Sequence, residues 1–252
     1  MTTTPTGLIC GLHAVLAALR EDAAHVDSVW MNEERRDKRS AEIARAARAA
    51  GVKLRRVPRT RLDQLVGAKH HQGVAAQTRA VSAGSEHDLE HRLAELKQIP
   101  LLLVLDGVQD PRNFGACLRC ADAAGAHALV FPRDRSAPLT ATVQQAASGA
   151  ALTVPLYEVS NLSRTLDLLK AGGIWVVGAV EQAEKALYDV DLSGPVAIVI
   201  GGEGRGLRRL TRERCDALVR IPMHGKVASL NLSVAAALLL YEALRQRGSR
   251  ES

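Results

Sequence analysis

The stretch from Pro100 to Gly125, PLLLVLDGVQDPRNFGACLRCADAAG, joins two patterns that settle the fold around it. Leu101 to Leu105 are five consecutive aliphatic residues, too short for a buried helix and unbroken by polar side chains, so they predict a strand covered on both faces. Asp110 and Pro111 then suit the N-cap and first-turn positions of a helix, because a carboxylate satisfies free N–H groups there and proline has none to leave orphaned. The same alternation recurs. HALVFP (127–132), GIWVVGAV (173–180), PVAIVIGG (195–202) and ALVRIPM (217–223) predict further strands with helices between them. This is the signature of an α/β domain built on a parallel sheet.

The N-terminal third predicts a smaller α/β unit. GLHAVLAALRED (11–22) spaces Leu12, Val15, Leu16 and Leu19 as a helix, VDSVWM (26–31) suits a strand, and SAEIARAARAAG (40–51) reads as a helix starting at Ser40 and stopping at Gly51. VKLRRVP (52–58) and GVAAQTRAV (73–81) predict strands around the helical TRLDQLVG (60–67), with KHHQG (69–73) as a loop. SAGSEHDLEHRLAELKQIP (82–100) is polar and then helical, with no strand before Leu101. The expected division is a domain over 1–79, a linker over 80–97 and a second domain over 98–252.

Composition narrows the function. With 252 residues and 47% hydrophobic residues the chain can build a sizeable core. Its longest apolar run, Val234 to Tyr241, is far short of the roughly 18 residues a membrane-spanning helix needs. GLICGLHAVLAAL (7–19) resembles a signal segment, but no basic residue precedes it and His13 interrupts it, so a cytoplasmic protein is expected. Cys10, Cys117, Cys120 and Cys215 form no disulfide framework, and the single C-x-x-C lacks a second ligand pair, so buried thiols and no metal site are expected. From Arg35 to Arg61 eleven basic residues face only Asp37 and Glu42, a local balance of +9 in a chain of net +6. That is the footprint of a polyanion partner or else a solvated helix face. Seven aromatic residues in all argue against base-stacking platforms.

In open parallel sheets ligands bind beyond the carboxyl ends of strands, so three loops carry the functional reading. The first holds Asn113 and Arg119 on an otherwise small and apolar helix. The second, VIGGEGRGL (199–207), is a glycine-rich turn fit for close approach to a ligand, but its G-x-G-x-G spacing is no dinucleotide fingerprint, and Glu203 would repel a phosphate. The third, KVASLNLS (226–233), sets Ser229, Asn231 and Ser233 before an apolar helix, more polar groups than a cap requires. On a continuous helix Ser229 and Ser233 share a face and Asn231 lies opposite.

Taken in order, LDGVQDPRNFGACLRCADAAG, IVIGGEGRGL and IPMHGKVASLNLSVAAALLLYEALRQR resemble the three motifs of the SpoU family of RNA 2′-O-ribose methyltransferases. GLHAVLAAL, HHQGV and SAPLTATVQQAASGAALTVPL resemble the branch that acts on guanosine in bacterial 23S rRNA. The resemblance covers nearly the whole chain. It implies a C-terminal SPOUT-type methyltransferase domain with a trefoil knot, an L30e-like α/β RNA-binding domain before it, S-adenosylmethionine as cofactor and a homodimer formed through the C-terminal domain. The implied reaction is methylation of a guanosine ribose in the peptidyl-transferase region of 23S rRNA, free or in a pre-50S particle. A tRNA guanosine methyltransferase of the same family and a non-catalytic RNA-binding assembly factor are the alternatives.

Position by position, the resemblance implies catalytic roles for Asn113, Arg119, Glu203, Ser229 and Asn231. It places the cofactor on Gly201, Gly202, Ile221, Leu230 and Ser233, with Gly178 a further candidate. Arg35, Arg36, Lys38, Arg39, Arg55 and Arg56 are the RNA-binding candidates within the basic segment. Phe114 stands where a smaller aliphatic residue is expected. In this family Arg119 is the implied base, yet a guanidinium stays protonated in proteins. Binding the target phosphate and stabilising alkoxide charge suits it better, with Asn113 and Ser229 fixing its orientation. Glu203 would orient donors, Asn231 would hold the loop, and the intervening leucines would wall the cofactor.

Overall fold

The computed structural model describes residues 6–21, 23–66, 71–79, 82–227 and 229–248. Asp22, Gly67, Lys69, His70, Ala80, Val81 and Ala228, which belong to expected elements and motifs, lie outside them. The chain divides into two compact units, one of Met1–Ser82 with Leu139–Thr153 and one of Ala83–Pro138 with Val154–Ser252.

The first unit carries strands β1 (Thr6–Cys10), β2 (Val26–Asn32), β3 (Lys53–Val57) and β4 (Val74–Arg79) with helices α1 (Leu12–Glu21), α2 (Lys38–Ala49) and α3 (Arg59–Val66). Its sheet runs β1-β4-β2-β3, parallel only between β2 and β3, which α2 connects. Val15, Val29, Met31, Ile43 and Val74 are fully buried in its core. Strand β1 is an addition to the sequence reading, because TGLIC is too short to show periodicity. Helix α2 starts earlier than expected: Asp37 caps it by accepting the Ser40 N–H at 3.0 Å. Ser40 is a buried first-turn residue whose hydroxyl donates back to the Asp37 carbonyl at 2.7 Å. Gly51 follows the helix at φ +68°, the left-handed conformation glycine adopts without a Cβ clash.

The second part of the chain continues with α4 (Glu86–Glu95), β5 (Leu101–Asp106), α5 (Pro111–Ala123), β6 (Ala128–Pro132), α6 (Ala141–Ala147) and α7 (Ala150–Thr153). After these come β7 (Leu156–Val159), α8 (Leu162–Ala171), β8 (Trp175–Ala179), β9 (Lys185–Ala186), β10 (Val196–Gly201), α9 (Arg209–Arg214), β11 (Ala217–Arg220) and α10 (Leu232–Gly248). The sheet is parallel throughout, in the order β7-β6-β5-β10-β8-β11-β9. Every residue of β5, β6 and β10 is buried, as the aliphatic runs require. Phe114 turns inward from α5 and meets Phe131 edge-on, ring centres 5.0 Å apart, which accounts for an aromatic ring at that position. The late strand β10 lies between the early strand β5 and β8, and α10 returns to pack on α5 and β10, a chain order that fits a knotted SPOUT domain.

Two segments change the expected domain bounds. Most of the expected linker is α4: Ser85 and Asp88 form a reciprocal capping box, and Leu89 is fully buried in the second unit's core. Residues 139–153 belong to the first unit, where α6 packs on β1 and α7 on α1. Gly149, at φ +100°, lets this segment approach the Ala14 backbone closely enough that an added Cβ would meet it at 3.5 Å. Leu89→Ala is expected to lower stability by about 2–5 kcal/mol in urea denaturation. A change within about 0.5 kcal/mol, as at an exposed linker position, would refute the assignment of α4 to the core.

Candidate active site

Three neighbouring strands, β10, β8 and β11, end on one side of the second unit and open a cleft of about 860 Å³ there. Ala179 and Val180 line it from the end of β8, Ile200 and Gly201 from β10, and Arg220 and Ile221 from β11. Glu203 and the glycine loop form one wall, and Ser229, Leu230, Asn231 and Leu232 another. The volume is that of a small-molecule site, and the lining mixes backbone edges with aliphatic side chains.

The glycine loop is shaped by close backbone approach. A Cβ on Gly201 would lie 2.0 Å from the Gly206 carbonyl carbon, and one on Gly202 would lie 2.5 Å from the Gly107 oxygen. Gly204 and Gly206 hold φ angles of +74° and +60°. Asp106 anchors the loop: its fully buried carboxylate accepts the Arg208 main-chain N–H at 2.8 Å and pairs with the Arg208 guanidinium. The Asp106 carbonyl accepts the Gly202 N–H at 3.1 Å. Neither Asp106 nor Arg208 was singled out by the sequence, where 102 positions separate them. The one available signal was an acid closing the aliphatic run of β5.

Asn113 ties the three loops together. From the first turn of α5 its amide nitrogen donates to Glu203 at 2.5 Å and to Asp110 at 3.4 Å. Its oxygen accepts the Asn231 amide at 3.1 Å. Asn231 in turn caps α10, its side-chain oxygen accepting the Ser233 N–H at 2.9 Å and the Ser233 hydroxyl at 2.7 Å. Each amide is used from both ends, so the polar groups in excess of one cap form a single relay.

Other expected site residues stand apart from it. Helix α10 begins at Leu232, so Ser229 precedes it and shares no helix face with Ser233. Ser229 lines the cleft and makes no hydrogen bond among the described residues, whereas Ser233 does not line it and donates to Asn231, which does. Leu230 and Leu232 line the cleft. Gly178 does not: a Cβ there would meet Cys215 Sγ and Leu207 Cδ1 at 2.7 Å, so its small size serves sheet packing. Arg119 is exposed and outside the cleft. Six residues beyond Asn113, it projects about 120° away around the helix, and neither Asn113 nor Ser229 holds it.

Burial pushes the Cys117 and Cys120 thiols above their ordinary value and that of Cys215 up to about 12, so all three stay protonated at neutral pH. No group able to hold a metal ion occurs among the described residues. In the first unit Arg35 pairs with Asp37 at 2.5 Å and donates to the Gln72 carbonyl, Arg56 donates to the Arg35 carbonyl at 3.3 Å, and Arg39 donates to His13 at 2.9 Å. Arg36, Lys38 and Arg55 are exposed.

Fold and cleft define an α/β enzyme that cradles a small ligand on backbone and sets amide and carboxylate side chains at its edge. The chain belongs to the SpoU rRNA Methylase family, whose sequence pattern matches residues 100–241, and residues 8–83 match the RNA 2′-O ribose methyltransferase substrate-binding domain. It is 51% identical to the 23S rRNA (guanosine-2′-O-)-methyltransferase RlmB of Ralstonia nicotianae, over 95% of this chain and 96% of that one. It is 48% identical to the protein of the same name from Vibrio cholerae, over 95% and 97%. Among solved structures it resembles the SpoU methyltransferase AviRb from Streptomyces viridochromogenes in complex with AdoMet, with TM-score 0.76, 27% identity and coverage of 97% and 91%. An RNA 2′-O ribose methyltransferase matches with TM-score 0.77, 32% identity and coverage of 97% and 90%.

Because Gly201 has no room for a Cβ, Gly201→Ala must displace the glycine loop. Titration calorimetry with S-adenosylmethionine is expected to show affinity lowered about a hundredfold or more, the scale of a displaced backbone cradle. Unchanged affinity would mean that this loop does not hold the cofactor.

Proposed function

We propose that the chain transfers the methyl group of S-adenosylmethionine to a guanosine ribose 2′-hydroxyl of 23S rRNA, in the peptidyl-transferase region, acting as a homodimer in the cytoplasm. The observation that carries this reading is the relay from Glu203 through Asn113 to Asn231 at the edge of a glycine-walled cleft. Near-full-length relatives with that named activity support it.

The residues present fit the cofactor. Gly201, Gly202, Ile221, Leu230 and Leu232 would hold it, the glycines offering backbone and the aliphatic side chains an apolar wall. When bound, it supplies a methyl group activated by a sulfonium. The protein must align the ribose hydroxyl with that methyl and stabilise charge as the proton leaves, so positioning supplies much of the rate. Glu203 fixes the Asn113 amide, and Asn113 fixes Asn231 and hence the start of α10. Ser229, without a hydrogen-bond partner among the described residues, is left to meet the substrate. Arg119 binds the target phosphate and stabilises alkoxide charge without giving up its proton.

The homodimer gives Arg119 a place. Val234, Leu238 and Tyr241 form an exposed apolar stripe on α10, 46%, 37% and 50% accessible, on the helix that packs against α5. Pairing through this stripe would cover it, and Arg119, exposed and outside its own cleft, would then serve the partner's site.

The test is tritium transfer from labelled S-adenosylmethionine to protein-free 23S rRNA and to assembling 50S particles. Arg119→Ala and Glu203→Gln are each expected to slow transfer about a hundredfold or more. Mixing and refolding the two variants together should restore part of the activity through dimers with one intact site. Label on tRNA instead of 23S rRNA would overturn the substrate. No recovery in the mixture would place Arg119 in its own protomer's site.

A further inference from the structure

The HHQG motif remains unexplained by the methyl-transfer chemistry, and its described residues, His71 to Gly73, border a second cavity. In the first unit a pocket of about 690 Å³ is lined by the turn His71–Gly73, by Asn32, Arg35, Arg36 and Arg59, and by the two acidic residues Glu34 and Asp37. The turn is held in an unfavourable conformation. Gln72 has φ +50°, a left-handed value that non-glycine residues seldom adopt, and Gly73 follows at +75°. Each polar group around the turn is used to hold it. Buried His71 donates from Nε2 to Asp63 at 2.8 Å and accepts the Gly73 N–H on Nδ1 at 2.9 Å. The Gln72 side chain accepts the Leu12 N–H at 3.2 Å, its carbonyl takes the Arg35 guanidinium, and the Gly73 carbonyl accepts the Asn32 N–H at 2.8 Å.

Strain maintained by so many bonds marks a shape kept for a ligand. The donors left over indicate which. The Arg36 and Arg59 side chains make no hydrogen bond or ion pair with any described residue, and the Asn32 side chain uses only its oxygen, on the Glu34 N–H at 3.2 Å. The Ser40 N–H and Arg35 together hold the Asp37 carboxyl below its ordinary range, so Asp37 stays charged and occupied. Two guanidiniums and an amide donor, none with a partner among the described residues, in a concave site suit a phosphodiester and a base edge. A flat basic face would suffice for a duplex backbone, whereas a cavity within the about 300–1,000 Å³ range of small-ligand sites admits a whole nucleotide. With no Phe, Tyr or Trp in the lining and the His71 ring buried, the base would stack on a guanidinium plane.

We propose that this pocket receives one unpaired nucleotide of the substrate RNA, Arg36 and Arg59 taking its phosphate and base plane and Asn32 its base edge. The inference rests on the reading of this chain as an RNA methyltransferase and adds where the first unit reads its substrate.

The test uses the full-length protein and a 23S rRNA fragment containing the methylated site, with RNA affinity measured by filter binding. Arg36→Ala and Arg59→Ala should each weaken binding about tenfold or more and flatten the salt dependence by about one unit. Arg45→Ala and Arg48→Ala, which remove exposed charge from α2 outside the pocket, should weaken it severalfold less. A scan of single abasic nucleotides should find one unpaired position whose loss weakens wild-type binding but not Arg59→Ala. Equal effects in all four variants, or no abasic position coupled to Arg59, would overturn the pocket while wild-type methyl transfer still upholds the parent reading. Absence of both RNA binding and methyl transfer by the wild type would overturn both.

Discussion

A single side-chain amide, that of Asn113, connects the three loops from which the catalytic unit is built. It gives hydrogen to Glu203 on the glycine loop and takes one from Asn231 at the start of α10. Strands β5 and β10 bring the first two loops together because they are adjacent and parallel, with Asp106 in register with Gly201. Helix α10 brings the third, and Asn231 is both its cap and the end of the relay. Removing Asn113 would leave a carboxylate and an amide without their mutual orientation. The cleft is therefore one polar construction on an aliphatic platform.

The platform imposes its own constraint. Gly201 and Gly202 lie where a sheet edge, the returning loop and the Gly107 turn approach within van der Waals distance. Buried Asp106 and its partly exposed partner Arg208 hold the loop against β5 from the other side. A site built this way presents backbone to its ligand with little freedom to rearrange, as expected where catalysis depends chiefly on alignment. The first unit uses a comparable device at 71–73, where main-chain strain is held by the Asp63 side chain of α3 and by the main-chain N–H groups of Asn32 in β2 and Leu12 at the start of α1.

Sequence made the central sheet legible because aliphatic runs such as LLLVL and VAIVI have no other stable use at that length. β7 and β9 escaped notice, one being four residues and the other two, defined only by pairing with their neighbours. Asn113, Glu203 and Asn231 were legible from residue type and order in the three loops. A glycine near a strand's end, such as Gly178, suggests ligand approach in the sequence, whereas in the fold Cys215 and Leu207 account for its small size. Arg119 was assigned to the site by motif, yet helical geometry turns it from Asn113. The pairing of Asp106 with Arg208 leaves no periodic trace because the two positions are distant in sequence; only the acid at the end of the β5 run hints at it.

The most direct test of the relay is a double-mutant cycle on Asn113→Ala and Asn231→Ala, read as the dissociation constant for S-adenosylmethionine and as unfolding free energy. If the amide pair couples the loops, the two substitutions will be non-additive by about 1 kcal/mol or more in both readouts. Additivity within about 0.3 kcal/mol would contradict the account, leaving the loops as independent structures that merely share a cleft.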